Sequence, residues 1–183
     1  MQNIANLLFE MNQLKKTPRS GFAFLGAGEE SVADHSFATT FIAMLMAKME
    51  PLADPLRLIT MCLVHDLPEA RIGDLNSVQK RYVTADEAGA LLDSSKDSPM
   101  GDVLAQYIEE FNQGKTIEAQ LAGDADQLAL LIELKSLLDC GYTSPQKWLP
   151  RVVQRIRTQT GKQLAEQILR TDRDSWWLKL EEG

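Results

Sequence analysis

The sequence predicts an all-α protein that folds as one compact helical bundle. Apolar residues recur every three or four positions along nearly the whole chain, which is the spacing of a helix that buries one face. Stretches of alternating β-branched residues, the pattern of a strand, never exceed a few positions. The 183 residues contain no repeat, low-complexity tract or linker composition, so we expect a single domain over residues 1–183.

The first two predicted helices have clear start and stop residues. The first covers Ile4–Leu14 and ends before Pro18, which cannot continue a helix. After a glycine-rich loop, Ser31 is a typical N-cap, and Asp34 occupies the capping-box position three residues later. His35 is therefore expected in the first turn of the second helix.

The third predicted helix begins after Asp54, with Pro55 at the first helical position. Its run "LITMCLV" is so apolar that we expect it to be buried. The helix is expected to end at His65 and Asp66, because Pro68 follows.

Further helices are expected in the second half of the chain, where start signals and glycine stops recur. The motif-bearing part of the domain is expected at about residues 15–140, and the closing helices at about 144–182. In chain order, one helix begins at Thr84 with Glu87 three residues later, a second covers 100–111, and a long third ends near Gly141. A fourth begins at Ser144 and Pro145, and the last covers 161–182.

The chain is acidic, with a net charge of −7 and a pI of about 4.9. Proteins that bind polymeric nucleic acid usually offer a basic face, so we expect no such partner. A small anionic substrate remains compatible with this charge, because one arginine and one metal ion can reverse the potential inside a cleft.

Neither a secretory signal nor a membrane span is predicted. The N-terminus has no basic segment, and its apolar residues have helical spacing. We therefore expect a cytoplasmic protein with no membrane partner. Cys62 and Cys140 lie in apolar, helix-like runs outside any CxxC pair, so both are expected to be buried, reduced thiols.

Both histidines of the chain stand next to an aspartate, in "SVADHSF" and "LVHDLPE". The side chains of His65 and Asp66 would diverge by about 100° on a regular helix, but at a helix end they can turn to a common ion. One interpretation is thus a pair of metal ligands. The other is a histidine that caps the helix C-terminus beside a solvated aspartate.

Asp126 adds a fourth candidate, in "AGDADQLALLIELK". Leu128, Leu131 and Ile132 follow it at core spacing, so its carboxylate would be buried at a cost of several kcal/mol unless a cation pairs with it. The alternative is that Asp124 or Asp126 is an acidic residue favoured by a helix N-terminus.

Two imidazoles and two carboxylates suit one divalent Mn, Fe, Co, Ni or Zn ion better than magnesium or calcium, which prefer more oxygen ligands. Four protein ligands leave an octahedral ion two open positions, enough for a water and a substrate oxygen. The predicted site is therefore suited to hydrolysis.

The ordered pattern of His35, His65–Asp66 and Asp126 resembles the HD-domain superfamily of metal-dependent phosphohydrolases. The segments "TPRSG", "ESVADHSF", "LVHDLPEARIGDL" and "GDADQL" are similar to its 5'-deoxynucleotidase branch, over residues 15 to about 135. That branch removes phosphate from deoxynucleoside monophosphates.

The resemblance implies a helical bundle, usually a homodimer, and a role for each matching residue. It makes His35, His65, Asp66 and Asp126 the metal ligands. Glu69 and Asp74 match two further carboxylates that handle protons and the attacking water, and Arg19 matches the arginine that binds the phosphate. The residues themselves are compatible with the same role for Glu69, which follows Asp66 by one helical turn, and equally with a first-turn glutamate that a helix dipole favours just after Pro68.

The leading functional prediction is a phosphomonoesterase that acts on nucleoside 5'-monophosphates. A phosphodiesterase or a hydrolase of nucleotides with more phosphates is the enzymatic alternative, and a helical scaffold that binds nucleotide without turnover is the non-enzymatic one. Trp176 and Trp177 are expected either in a dimer contact or packed on the core of their own chain.

Overall fold

The computed structural model describes the backbone of residues 1–181 and the side chains of residues 1–178. Over this range it contains no β-strand, only one isolated antiparallel bridge between Pro18 and Ser31. The predicted all-α fold is confirmed. Its helices are α1 (Gln2–Gln13), α2 (Val32–Met49), α3 (Pro55–Val64), α4 (Glu69–Ile72), α5 (Glu87–Ser95), α6 (Gly101–Gln113), α7 (Ile117–Asp139), α8 (Leu149–Arg155), α9 (Gln159–Arg170) and α10 (Ser175–Glu181), with 3₁₀ turns at Ser20–Phe24, Gln79–Arg81 and Ser144–Lys147.

The long helix α7 lies at the centre of the bundle, where α2, α3, α6, α8 and α9 pack around it. Burying one leucine side chain in such a core contributes roughly 1.5–3 kcal/mol. The packing fixes α2, α3 and α7 against each other, and these helices carry the candidate site. The largest fully buried apolar side chains are Met46, Leu58, Met61, Leu121, Leu128, Leu131 and Leu134.

The starts of α2 and α3 are the ones predicted. Ser31 accepts a hydrogen bond from the Asp34 amide while the Asp34 carboxylate accepts one from the Ser31 amide, so the capping box is complete. Asp54 caps α3 by accepting from the amides of Leu56 and Arg57, and Pro55 is the first residue of the helix.

The start predicted at Thr84 is wrong. Asp86 is the N-cap of α5, because its carboxylate accepts a hydrogen bond from the amide of Gly89 at 2.8 Å. An aspartate cap satisfies a free helix N–H as a threonine would, and here the aspartate is the residue in position to do so.

The single closing helix predicted over 161–182 is instead two helices, α9 and α10. Residues 171–174 form a turn in which the Asp172 carboxylate accepts a hydrogen bond from the amide of Asp174. Aspartates favour such local turns, which compete with helix. Trp176 is 74% exposed and Trp177 38% exposed, so neither belongs to the core.

The two cysteines differ in burial. Cys62 is fully buried in α3, as predicted, whereas Cys140 is exposed, because α7 ends at Asp139 and the chain turns there. The prediction of burial is therefore wrong for Cys140. None of the helices within the described residues combines the length and the apolar content that a membrane crossing requires.

Candidate metal and phosphate site

Three helices bring His35, His65 and Asp126 together, although these residues are far apart in sequence. His35 lies in the first turn of α2, His65 directly follows α3, and Asp126 lies within α7. One potential ligand atom from each lies within 4.8 Å of the others. His35 Nε2 and Asp126 Oδ1 are 2.8 Å apart.

Asp66 turns toward the same point. Its Oδ2 lies 3.2 Å from His65 Nε2 and 4.0 Å from His35 Nε2. This is possible because α3 ends at Val64, so the chain leaves the regular helix before Asp66. Three of the four predicted ligands, His35, His65 and Asp126, therefore meet within 4.8 Å, and Asp66 lies beside the Nε2 atoms of both histidines.

The side chain of His65 fits a metal ligand. Its Nδ1 lies 2.8 Å from the carbonyl oxygen of Cys62, to which it can donate a hydrogen bond, while its buried Nε2 has no hydrogen-bond partner among the described residues. A proton on Nδ1 leaves the lone pair on Nε2, directed at the cluster. Two imidazole nitrogens with two carboxylates suit a divalent transition metal.

The charges within the cluster are strongly coupled. Burial alone would raise the pKa of Asp66 and Asp126, but the neighbouring histidines and Arg19 outweigh burial and hold both pKa values below the ordinary range. Burial alone would lower the pKa of His65, but Asp66 and Asp126 raise it to about 9. A cation is therefore favoured at this point.

Arg19 extends over the same cluster from the loop before α2. Its Nη1 lies 3.4 Å from Asp66 Oδ2, and its side chain is only 16% exposed. Although burial lowers its pKa, Asp66, Asp74 and Asp126 raise it overall, so the guanidinium stays charged. Its backbone is fixed by a 2.8 Å hydrogen bond from the Arg19 amide to the Glu30 carbonyl.

Glu69 and Asp74, the two further predicted carboxylates, lie beside the cluster. Glu69 opens the short helix α4, and its buried Oε2 has no hydrogen-bond partner among the described residues. Burial, Asp66 and Asp74 raise the pKa of Glu69 to about 8. Asp74 Oδ2 accepts a hydrogen bond from the amide of Ser20 at 2.8 Å, so Asp74 also holds the loop that carries Arg19.

Asp124 and Asp126 have different surroundings, and neither lies at a helix N-terminus. The N-cap of α7 is Thr116, so the interpretation of either residue as an N-terminal helix charge is wrong. The Asp124 carboxylate is buried against the segment before α9, where it accepts hydrogen bonds from the amides of Arg157 and Thr158, each at 2.7 Å. Asp126 alone of the two lies near the histidines.

Sequence reasoning missed the role of Glu30. Its carboxylate is buried beside His35 and Arg19, with Oε1 3.9 Å from His35 Nδ1 and Oε2 3.8 Å from Arg19 Nε. Burial raises the pKa of Glu30 to about 7 against the opposing effect of Arg19. No local pattern distinguishes Glu30 from the adjacent, exposed Glu29, because the burial of Glu30 comes from its placement beside Arg19 and His35 in the folded chain.

Three clefts border the cluster and Arg19: one of 1160 Å³ is lined by Arg19 and Glu30, among others, and the other two are smaller. A 290 Å³ cleft is lined by Arg19, Asp74, Lys80, Trp148 and Arg155, among others. A separate 560 Å³ cleft is lined by Asp126 and also by Arg155. The exposed Arg155 thus contributes positive charge to both smaller openings.

Comparisons with known proteins agree on one family and one fold. The model of a family described as "HD domain" matches residues 11–168. The 5'-deoxynucleotidase HDDC2 of Dictyostelium discoideum is 26% identical over 145 residues, which cover 73% of this chain and 76% of that protein. A 5'-deoxynucleotidase of Schizosaccharomyces pombe is 25% identical over 134 residues, covering 68% of this chain and 67% of that protein. The solved structure of a conserved hypothetical protein from Pyrococcus furiosus matches with a TM-score of 0.78 and 27% identity, over 91% of this chain and 99% of that one.

Proposed function

The chain belongs to the HD domain family, and from that premise we propose that it is a metal-dependent phosphohydrolase that releases phosphate from deoxynucleoside 5'-monophosphates. The observation that carries the proposal is the convergence of His35, His65 and Asp126 within 4.8 Å, with Asp66 and Arg19 in contact. The relatives named 5'-deoxynucleotidase support the substrate class.

In this proposal His35, His65, Asp66 and Asp126 hold one divalent ion of Mn, Fe, Co, Ni or Zn. Such an ion supplies a Lewis acid that polarises a phosphoryl oxygen and lowers the pKa of a water molecule. Asp66 has a second task, because its contact with Arg19 sets the position of the guanidinium relative to the ion site.

Arg19 binds the phosphate of the substrate. A guanidinium can donate two parallel hydrogen bonds to phosphate oxygens, and it keeps its charge at every physiological pH. Because Arg19 is largely buried, its attraction for the dianionic phosphate is screened less by water than that of a surface arginine. It also stabilises the charge that builds up as the ester bond breaks.

Glu69 moves the proton. With a pKa raised to about 8, its carboxyl is mostly protonated at neutral pH and can protonate the departing 5'-oxygen of the nucleoside. Water attacks phosphorus, the phosphorus–oxygen ester bond breaks, and Glu69 regains a proton from the attacking water. We propose that Asp74 assists this exchange, since its charge contributes to the raised pKa of Glu69.

The nucleoside is proposed to lie in the 290 Å³ cleft between Arg19 and Trp148. An indole face there offers an apolar surface for a base, and Lys80 and Arg155 offer charge near the phosphate. Because Arg19 lines this cleft, one nucleotide can place its phosphate at Arg19 and its base against Trp148.

The test is a metal analysis of the purified protein, followed by phosphate-release assays with deoxynucleoside and ribonucleoside 5'-monophosphates. Cyclic dinucleotides and guanosine tetraphosphate complete the panel. We expect metal-dependent phosphate release from the deoxynucleoside monophosphates. Turnover only of the cyclic or polyphosphorylated compounds would replace the proposed substrate class, and nucleotide binding without turnover under any of Mn, Co, Ni and Zn would leave a binding scaffold.

We also propose that the protein is a homodimer through the outer face of α2. Phe37 and Phe41 stack there with ring centroids 6.4 Å apart, and Phe37 is 73% exposed. Large exposed aromatic pairs are typical of interfaces. Sedimentation should give a dimer for the wild type and a monomer for Phe41→Asp, with Phe9→Asp on α1 as the exposed-phenylalanine control.

The cytoplasm is the proposed location. Both cysteines are free, including the exposed Cys140, which suits a reducing compartment.

A further inference from the structure

Glu30 is a buried carboxylate at the end of an exposed loop. Its side chain is 5% exposed, whereas the adjacent Glu29 is exposed. Withdrawing a carboxylate from water is costly unless charges or hydrogen bonds compensate it. The chain places this group between His35 and Arg19, so these two side chains are its possible partners.

The Glu30 carboxylate lies near two possible partners, His35 and Arg19, but beyond hydrogen-bond distance of both. Oε1 lies 3.9 Å from His35 Nδ1, and Oε2 lies 3.8 Å from Arg19 Nε. Glu30 Oε2 and His35 Nδ1 are both buried, and neither has a hydrogen-bond partner among the described residues. A small movement of the Glu30 side chain would bring its carboxylate within hydrogen-bond distance of the His35 imidazole. Arg19 would stay close enough to balance the charge of the carboxylate.

The two histidines provide an internal comparison. The Nδ1 of His65 is bonded to the Cys62 carbonyl, which fixes the proton there and leaves Nε2 for a metal. His35 also presents Nε2 to the carboxylates of Asp66 and Asp126, so it needs the same tautomer. The residue that faces its Nδ1 is Glu30. A histidine ligand commonly donates its other N–H to a carboxylate or carbonyl, which orients the ring.

We propose that Glu30 is the positioning residue of His35: it accepts the Nδ1 proton of His35 and so directs the Nε2 lone pair toward the metal. Arg19 keeps Glu30 in place from its other side. The inference rests on the proposed function, because that function requires the metal site.

The test measures metal binding without turnover, so it can be read even if the wild type binds zinc and releases no phosphate. Metal-free wild type, Glu30→Ala and Glu30→Gln are titrated with zinc chloride by calorimetry, with Glu29→Ala as the matched control. We expect Glu30→Ala to bind zinc about 10- to 100-fold more weakly, which is the usual effect of losing such a partner. Glu30→Gln should recover part of the affinity, because its amide oxygen can accept the same proton, and Glu29→Ala should match the wild type.

Nitrogen-15 NMR of the zinc-loaded protein separates this role from a general structural one. The chain has only two histidines, and the wild type should show one slowly exchanging Nδ1–H signal from each. Glu30→Ala should lose the His35 signal and keep that of His65. Wild-type zinc affinity in Glu30→Ala, or weaker affinity with an unchanged His35 signal, would overturn the proposal. If Glu30→Ala does not fold, Glu30→Asp replaces it, because its carboxylate is one methylene farther from His35. The same two results, the zinc affinity and the His35 Nδ1–H signal, then decide the proposal.

Discussion

His65 donates its Nδ1 proton to the carbonyl oxygen of Cys62 across 2.8 Å, one helical turn earlier in the chain. The last turn of a helix has carbonyl groups without intrahelical partners, and His65 directly follows α3. The bond therefore satisfies a helix end and at the same time selects the histidine tautomer that a metal needs. Nε2 then lies 3.2 Å from the carboxylate of Asp66.

His65→Ala and Asp66→Ala should each abolish metal content and phosphatase activity while the protein stays folded. Each substitution removes one metal ligand, while the packing of α2, α3 and α7 keeps the other ligands in place. Metal analysis, circular dichroism and phosphate release check this. The control is Asp34→Ala, which also alters an aspartate beside a histidine but one engaged in the capping box of α2. It should keep its metal and lose only about 0.3–1.5 kcal/mol of stability. Full activity of either ligand variant would refute the metal assignment.

Asp124 and Asp126 should give opposite results when each is replaced by asparagine. Asp124→Asn should lower the free energy of unfolding by roughly 1–3 kcal/mol, because an amide is a poorer acceptor for buried donors. Those donors are the amides of Arg157 and Thr158. Asp126→Asn should weaken metal binding and alter the stability of the metal-free protein less. Urea unfolding and zinc titration of both variants measure the difference, and metal loss in Asp124→Asn alone would reverse the two assignments.

The stability of the metal-free protein should depend on pH through Glu69. Its pKa is raised from 4.5 to about 8 in the folded state, so folding favours the protonated form. The contribution of Glu69 is therefore complete below about pH 4.5, decreases as the pH rises toward 8, and is constant above that. Glu69→Gln resembles the protonated form and should lack this decrease. The measurement is the melting temperature of the wild type minus that of Glu69→Gln, with a chelator present. This difference should fall as the pH rises from about 4.5 to 8, and a constant difference would contradict the assignment.

Asp74 can be tested for its two tasks with two substitutions. Asp74→Asn keeps an oxygen that can accept the hydrogen bond of the Ser20 amide, so the loop carrying Arg19 should stay in place. We expect its KM to stay near the wild-type value while kcat falls, because the charge beside Glu69 is lost. Asp74→Ala should also raise KM by about tenfold, equivalent to about 1.4 kcal/mol of substrate binding. If Asp74→Asn has wild-type kcat, Asp74 only holds the loop.

Local signals in the sequence predicted much of the fold. The capping box of Ser31 and Asp34 and the Asp54–Pro55 start of α3 depend on atoms a few residues apart, so the sequence alone identifies them. Asp86 could replace Thr84 as a cap because both types can accept the same hydrogen bond, and only the folded chain determines which one does.

The site was harder to predict where partners lie far apart in the chain. The donors to Asp124 come from Arg157 and Thr158, more than 30 residues later, and no local pattern indicates that pairing. The burial of Glu30 depends on how the loop folds back on Arg19, which no local pattern indicates. The motifs indicated which residues converge, and the packing of α2, α3 and α7 determines how each is oriented.

The bridge between Pro18 and Ser31 closes the segment between them at its base. Hydrogen bonds from the Arg19 amide to the Glu30 carbonyl and from the Val32 amide to the Thr17 carbonyl hold the two ends together. Because loop-closure cost grows only slowly with length, residues 26–29, which follow the buried Phe22 and Leu25, can diverge or lengthen without moving Arg19 away from His35. The fold thus joins a short variable stretch to a fixed reaction centre, and exchanging residues 26–29 for those of a relative is a direct way to alter the cleft beside Arg19 while the chemistry is conserved.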